Sequence, residues 1–205
     1  MKYIEFYRIF SGYGSFTIRQ VFLHIPDFDN KQLTRRQAKW YIYKIIDWYW
    51  IFEDKMAKRG ESEYISNIIY EPSYISLEQG LRYHDMIPEE VRIHTAVTSN
   101  KTKTFKTKLW TYRYQSIKPE LMRWYDIVKI WEKMVKIGRL EKVLLDYIYL
   151  HPEIKSEDDL DEMRFNYYIF GEKGDILTLS EFATYYPQRV QKIINIFIKL
   201  VKENA

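Results

Sequence analysis

Apolar residues recur at helical intervals from the start of the chain: Tyr3, Phe6, Tyr7 and Phe10 share one side of a helix that steps about 100° per residue. Thr17 followed by Gln20 has capping-box spacing, with Phe16 and Val21 placed as a hydrophobic staple, so a second helix is predicted from there. Asp29 with Gln32, and Phe28 with Leu33, repeat both signals for a third helix. Pro26 and the cluster from Asp27 to Asn30 mark the turn between these two helices. The pattern then changes period. Ile42 to Ile46 and Tyr49 to Phe52 are rich in β-branched and aromatic residues about a turn at Asp47 and Trp48, which predicts a strand pair. Trp48 is an unusual turn residue, because type I′ and II′ turns favour Gly or Asn at positive φ.

On the third helix the same angular step sets Leu33 and Trp40 on one side and Lys31, Arg35 and Lys39 on the other. Gln32, Thr34 and Ala38 share the outer face, and no acidic residue occurs between Lys31 and Lys44. An apolar back and a basic front suit a recognition helix, whose charges hold phosphates while Gln and Arg read base edges. A solvated basic helix face has the same pattern. The order helix, helix, strand pair favours a winged helix-turn-helix.

Beyond a polar run from Glu53 to Glu63 that marks the end of the first module, a helix is expected through Tyr64, Ile65, Ile68 and Ile69, broken at Glu71 and Pro72. Ser76 with Gln79 is another capping box, opening a helix through Leu77, Leu81 and Tyr83. Strands are predicted from Val91 to Val97, Leu109 to Ser116, Trp124 to Ile130 and Met134 to Ile137. Past Gly138 the period is helical again: Leu140, Val143, Leu144, Tyr147 and Ile148 form one stripe, and Val190, Ile193, Ile194, Phe197, Leu200 and Val201 another. The last stripe serves either the domain's own core or a protein interface such as a homodimer.

Composition narrows the function classes. The chain has 205 residues, 46% of them hydrophobic, and a net charge of +4, so the local distribution of charge is more informative than its total. Cysteine is absent, which excludes disulfides, cysteine-ligated zinc and thiol catalysis. With no signal-peptide pattern and no run near the roughly 20 apolar residues of a membrane span, a soluble cytoplasmic protein is expected.

From Ala96 through Pro119 there is no acidic side chain, while Lys101, Lys103, Lys106, Lys108 and Arg113 are interleaved with Thr102, Thr104, Phe105, Thr107 and Trp110. Lysine alternating with threonine on a hairpin sets charges on one face, able to follow a nucleic-acid backbone or meet a nucleotide. An edge strand guarded by lysines against aggregation has the same composition. Glu157, Asp158, Asp159, Asp161 and Glu162 read as a Mg²⁺-binding group or as acids at a helix start, and the start explains them without a second motif. His24, His84, His94 and His151 lack ligand spacing, and Gly171 with Gly174 lacks the rest of a P-loop. Neither catalysis nor a metal nor a cofactor is indicated.

The segment YEPSYISLEQGLRYHDMIPE from Tyr70 to Glu89, followed by AVTSNKTKTF, IKPEL, LEKVLLDYIYLHP and EMRFN, resembles the AbiEi-type antitoxin and transcriptional-regulator family of phage-defence (type IV) toxin–antitoxin pairs. The likeness runs from about Phe16 to Asn166, departing at Trp48 and Trp110, where a turn Gly is usual, and at Leu140, where a helix-opening Pro is common. It implies an α+β protein with an N-terminal winged helix-turn-helix (residues 1–55) and a mixed α/β C-terminal domain (56–205) with antiparallel strands and C-terminal helices. It implies a non-enzymatic repressor that binds repeats in its own operator, double-stranded DNA, and neutralises a nucleotidyltransferase-like toxin. By resemblance Lys31, Gln32, Thr34, Arg35 and Lys39 lie in the recognition-helix segment, with Arg36 on its flank and Lys44 in the wing. Two other classes fit less of the pattern: a defence-system adaptor whose winged helix is only a scaffold and whose C-terminal stripe binds a partner, and a metal-dependent nucleic-acid-processing enzyme using the acidic cluster.

Overall fold

In the computed structural model, which describes every residue except Ala57, Arg59, Glu90 and Ala205, the chain is a mixed α+β protein with two sheets. The polar run expected to end the first module lies partly outside the described residues, at 57 and 59.

The first sheet belongs to a small N-terminal unit. Helix α1 (Tyr3–Phe10) buries Phe6 and Phe10 and leads through a tight turn at Gly14 into strand β1 (Ser15–Thr17). Helices α2 (Ile18–His24) and α3 (Lys31–Ala38) follow, then strands β2 (Ile42–Ile46) and β3 (Tyr49–Phe52). The strands pair antiparallel in the order β1-β3-β2, with a bulge near Ile45 that loosens the turn at Asp47 and Trp48. Every residue of β3 is buried, because alternate side chains enter two different cores. Trp50 and Phe52 join Phe6, Phe10, Phe16, Val21, Phe28 and Leu33 among the three helices, whereas Tyr49 and Ile51 point to the second sheet.

Local signals were met unevenly. The capping box at Thr17 and Gln20 forms as expected: Gln20 N–H donates to Thr17 Oγ1 at 3.1 Å and Thr17 N–H to Gln20 Oε1 at 2.7 Å. Strand β1, which carries Phe16, was not anticipated; three residues are too few to show a period. The box at Asp29 and Gln32 does not close. Asp29 Oδ1 accepts from Lys31 N–H at 2.9 Å, but Gln32 turns its amide oxygen to Arg36 at 3.0 Å. Helix α3 also ends earlier than the wheel assumed, at Ala38, so Trp40 leaves the apolar back and stands 62% exposed with φ near +60°.

The second sheet is mixed rather than antiparallel. Helix α4 (Glu61–Ile68) leads to strand β4 (Ser73–Ile75), helix α5 (Leu77–Tyr83), and strands β5 (Ile93–Thr98), β6 (Lys103–Lys106), β7 (Thr111–Ser116), β8 (Tyr125–Ile130) and β9 (Lys133–Gly138). The order is β6-β7-β5-β4-β9-β8, with β5/β7 and β4/β9 parallel. The capping box at Ser76 and Gln79 is replaced by a tertiary contact: Thr95 Oγ1 accepts Gln79 N–H at 2.9 Å, freeing the Ser76 hydroxyl to donate to Asp146.

Helix α6 (Leu140–Leu150) lies in the middle of the larger core, covered by α7 (Glu157–Glu162), α8 (Tyr167–Lys173), α9 (Ile176–Ala183) and α10 (Gln188–Asn204). Two of its buried polar residues, Lys142 and Asp146, share a network: Asp146 accepts from Tyr74 (2.8 Å), Ser76 (2.9 Å), Tyr186 (3.1 Å) and Lys142. The whole α10 stripe from Val190 to Val201 is buried in this core. The reading of that stripe as a homodimer or partner interface is therefore corrected: α6, α8 and α9 already cover it.

A third cluster joins the two sheets. Ile45, Tyr49 and Ile51 meet Ile65 and Ile69 around α4, and Ala96, Tyr112 and Tyr114 from β5 and β7. Beside it the buried Glu61 accepts Ser15 Oγ at 2.7 Å and pairs with Lys133 Nζ at 3.2 Å, while Lys133 donates to Tyr13 O at 2.8 Å.

Candidate nucleic-acid interface

Helix α3 presents Lys31, Thr34, Arg35 and Lys39 to solvent. Arg36 does not join them. Three residues after Leu33, it falls on the inner side, where its guanidinium lies 4.2 Å from the Phe6 ring centroid and 5.3 Å from that of Phe28. Its Nη2 donates to Met1 O at 3.3 Å and to Gln32 Oε1 at 3.0 Å, and burial pushes its pKa below the ordinary guanidinium value. The two residues thus hold the N-terminus against α3. This corrects Arg36 as a contact residue, since its charge is spent inside the fold, and leaves Gln32 half-buried. Lys44 is exposed and pairs with Asp47 Oδ1 at 2.7 Å, a surface contact too weakly held to oppose a phosphate.

Two grooves of about 300 Å³ run along the sides of α3. One is bordered by Arg35, Lys39 and Tyr41 together with the N-terminal residues. The other has Thr34, Gln37 and Ala38 on one wall, Trp40 and Tyr43 at its end, and Lys44 and Lys108 at its rim. Lys108 lies in the loop between β6 and β7, and its ammonium group stands 5.9 Å from the Trp40 ring centroid. Tyr43 approaches the same indole at 5.9 Å between ring centroids. An exposed indole held in left-handed backbone, with a cation over its face, is a costly arrangement for a surface residue and marks this end of α3.

The second basic stretch does not form one charged face. Strand β6 is the edge of the sheet and pairs only with β7, Thr104 opposite Arg113 and Phe105 opposite Tyr112. Alternation therefore sends Lys103 and Phe105 to the side of the N-terminal unit, where Lys103 Nζ lies 4.6 Å above the Phe105 ring. Lys106 shares the opposite side with Thr104 and Arg113. Lys101 is exposed before the strand, its carbonyl accepting from Tyr70 Oη at 2.9 Å. Of the five, Lys108 alone borders the groove beside α3. No sequence pattern pointed to this meeting of Trp40 and Lys108, since it is made by the packing of one sheet on the other.

The remaining candidates are structural. Asp159 closes the Ser156 capping box, Glu157 pairs with Lys199 at 3.2 Å and Asp161 accepts from Tyr167 at 3.1 Å. Among the described residues no group of three or more histidine or acidic side chains is placed to hold a metal ion. His84 Nε2 donates to the Gly138 carbonyl (2.8 Å) and His151 Nδ1 to that of Tyr147 (2.7 Å), while His94 stacks on Tyr112. No helix among the described residues is long and apolar enough to cross a membrane.

No protein-family model and no curated protein matches the chain.

Proposed function

We propose that the N-terminal unit is a winged helix-turn-helix that sets α3 in the major groove of double-stranded DNA, and that the chain is a repressor of its own operon and an antitoxin of the AbiEi type. The observation that carries this reading is that α3 presents Lys31, Arg35 and Lys39 to solvent, while Lys44 of β2 and Lys108 of the β6–β7 loop rim the groove along its other side. Arg35 and Lys39 would read and position DNA from the helix, Lys31 would hold phosphate at its start, and Lys44 and Lys108 would grip backbone from either side. The resemblance over Tyr70 to Asn166 supports assigning a nucleotidyltransferase-like toxin as the functional partner. A gel shift on the protein's own upstream DNA tests the reading. Arg35→Ala is expected to cost about 1–3 kcal/mol and to loosen sequence preference, and Lys108→Ala to lower the salt slope by about one. Equal affinity for upstream and random DNA in the unaltered protein would sink the repressor assignment.

A further inference from the structure

On the face of the large sheet turned away from the N-terminal unit lies a cleft of about 530 Å³. Alternation along β5 and β7 sends Thr95 and Arg113 to this face, opposite to Ala96, Tyr112 and Tyr114 in the shared cluster. Glu78 of α5 and Tyr147 of α6 line one part, and Glu162 at the end of α7 with Met163 and Phe165 after it line another. Glu89 and Arg92 stand at the mouth, from the loop that precedes β5.

The charges of the cleft are unspent. Among the described residues, the lining carboxylates Glu78, Glu89 and Glu162 and the guanidinium groups of Arg92 and Arg113 take part in no ion pair within 4.0 Å, although both signs line the same space. Glu78 Oε2 is shielded from solvent and has no hydrogen-bond partner. A shielded carboxylate oxygen without a donor is rare in a folded protein and calls for a polar occupant. The potential on that part of the lining is negative: burial first, then Glu78, Glu153 and Glu89, push the Tyr147 phenol up to about 12. The sheet face carries the Arg113 guanidinium, a group that pairs with carboxylates in a fork. The Phe165 ring and the Met163 thioether line the same space.

We infer that this cleft binds a small zwitterion of the α-amino-acid class with an apolar side chain. Its ammonium group satisfies Glu78 and meets the face of Tyr147, its carboxylate takes Arg113, and its hydrocarbon covers Phe165 and Met163. A bare divalent cation does not fit, because no three ligating side chains converge there among the described residues. A polyphosphate does not fit either, because the carboxylates of Glu78, Glu89 and Glu162 line the same space. The inference stands apart from DNA binding, which uses the other side of the sheet.

Calorimetry and thermal shift on the full chain test it, with L-phenylalanine, L-leucine and L-methionine as probes and phenethylamine and 3-phenylpropionate as the two half-molecules. At least one amino acid is expected to bind and raise the melting temperature, with each half-molecule weaker by about tenfold or more. Glu78→Gln and Arg113→Gln should each weaken that amino acid by at least about tenfold. Arg113 is exposed, so its variant folds and keeps the test decisive if Glu78→Gln does not. Absence of binding by all three amino acids at about 10 mM, far above the range of specific effectors, overturns the proposal. So does equal binding of either half-molecule, or binding that both substitutions leave unchanged.

Discussion

Lys142 shows how far a residue's setting can depart from its character. It is fully buried, and burial lowers its pKa below the ordinary lysine value, while Asp146, Tyr186 and the face of Tyr74 receive its charge. Removing one partner strands the other, so Asp146→Asn is expected to cost about 3–5 kcal/mol in chemical denaturation, and the double change to Met and Leu much less. A double variant as unstable as the single one would contradict this account. His84 and His94 make a pH prediction. Burial lowers both below the usual value of 6.5, so the unfolded chain takes up protons first as the solution becomes acidic. Stability is full above about 6.5 and falls as the pH drops from there towards the lowered folded values. Melting temperatures from pH 8 to 5 should show it, with a shallower fall in His94→Phe, which retains the stacking on Tyr112. Sequence made some of this legible and hid the rest. Arg36 sits three residues after Leu33, a spacing that marks the inner side of α3, yet its charge argued for the outside; the Phe6 and Phe28 rings decide in favour of the spacing.

Of the three capping boxes expected from the sequence, at Thr17, Asp29 and Ser76, one formed. At Thr17 and Gln20 no distant group competes, and both reciprocal bonds are made. At Ser76 the competitor is Asp146, seventy residues away, and at Gln32 it is Arg36. A local signal is reliable only where tertiary packing offers its side chains nothing better. Thr17→Ala should therefore cost about 0.5–2 kcal/mol, and Ser76→Ala should behave as the loss of a buried hydrogen bond rather than of a cap. Comparing the two by urea midpoint, with Asp146→Asn as the background for Ser76→Ala, separates the mechanisms: the Ser76 effect should shrink there and the Thr17 effect should not. Long strands were legible by alternation, whereas β1 and β4, three residues each, were not. Gly60 ends the linking segment with φ near +82°, and a Cβ there would stand 2.6 Å from Ile130 O. Gly60→Ala is expected to destabilise the chain by about 1–3 kcal/mol, read by thermal melting.

For the whole molecule, the decisive contact is the cluster between the sheets. Because Tyr49 and Ile51 pack against the second sheet and α4, residues 1–55 on their own would expose that face. The full chain should melt in a single transition by both circular dichroism and tryptophan fluorescence, while the 1–55 fragment should associate or remain unfolded. Two separated transitions in the full chain would show that the seam is weaker than its burial indicates. The basic residues were legible one by one in sequence, but their grouping was not, because Lys108 reaches Trp40 only once the sheets are packed. Strand β3 also bears on heredity. Its alternate residues answer to two neighbours at once, so a change at Tyr49 or Ile51 is felt on the far side of the seam. An N-terminal unit borrowed from another protein would arrive without the face this sheet requires, and the two halves are bound to diverge as a pair.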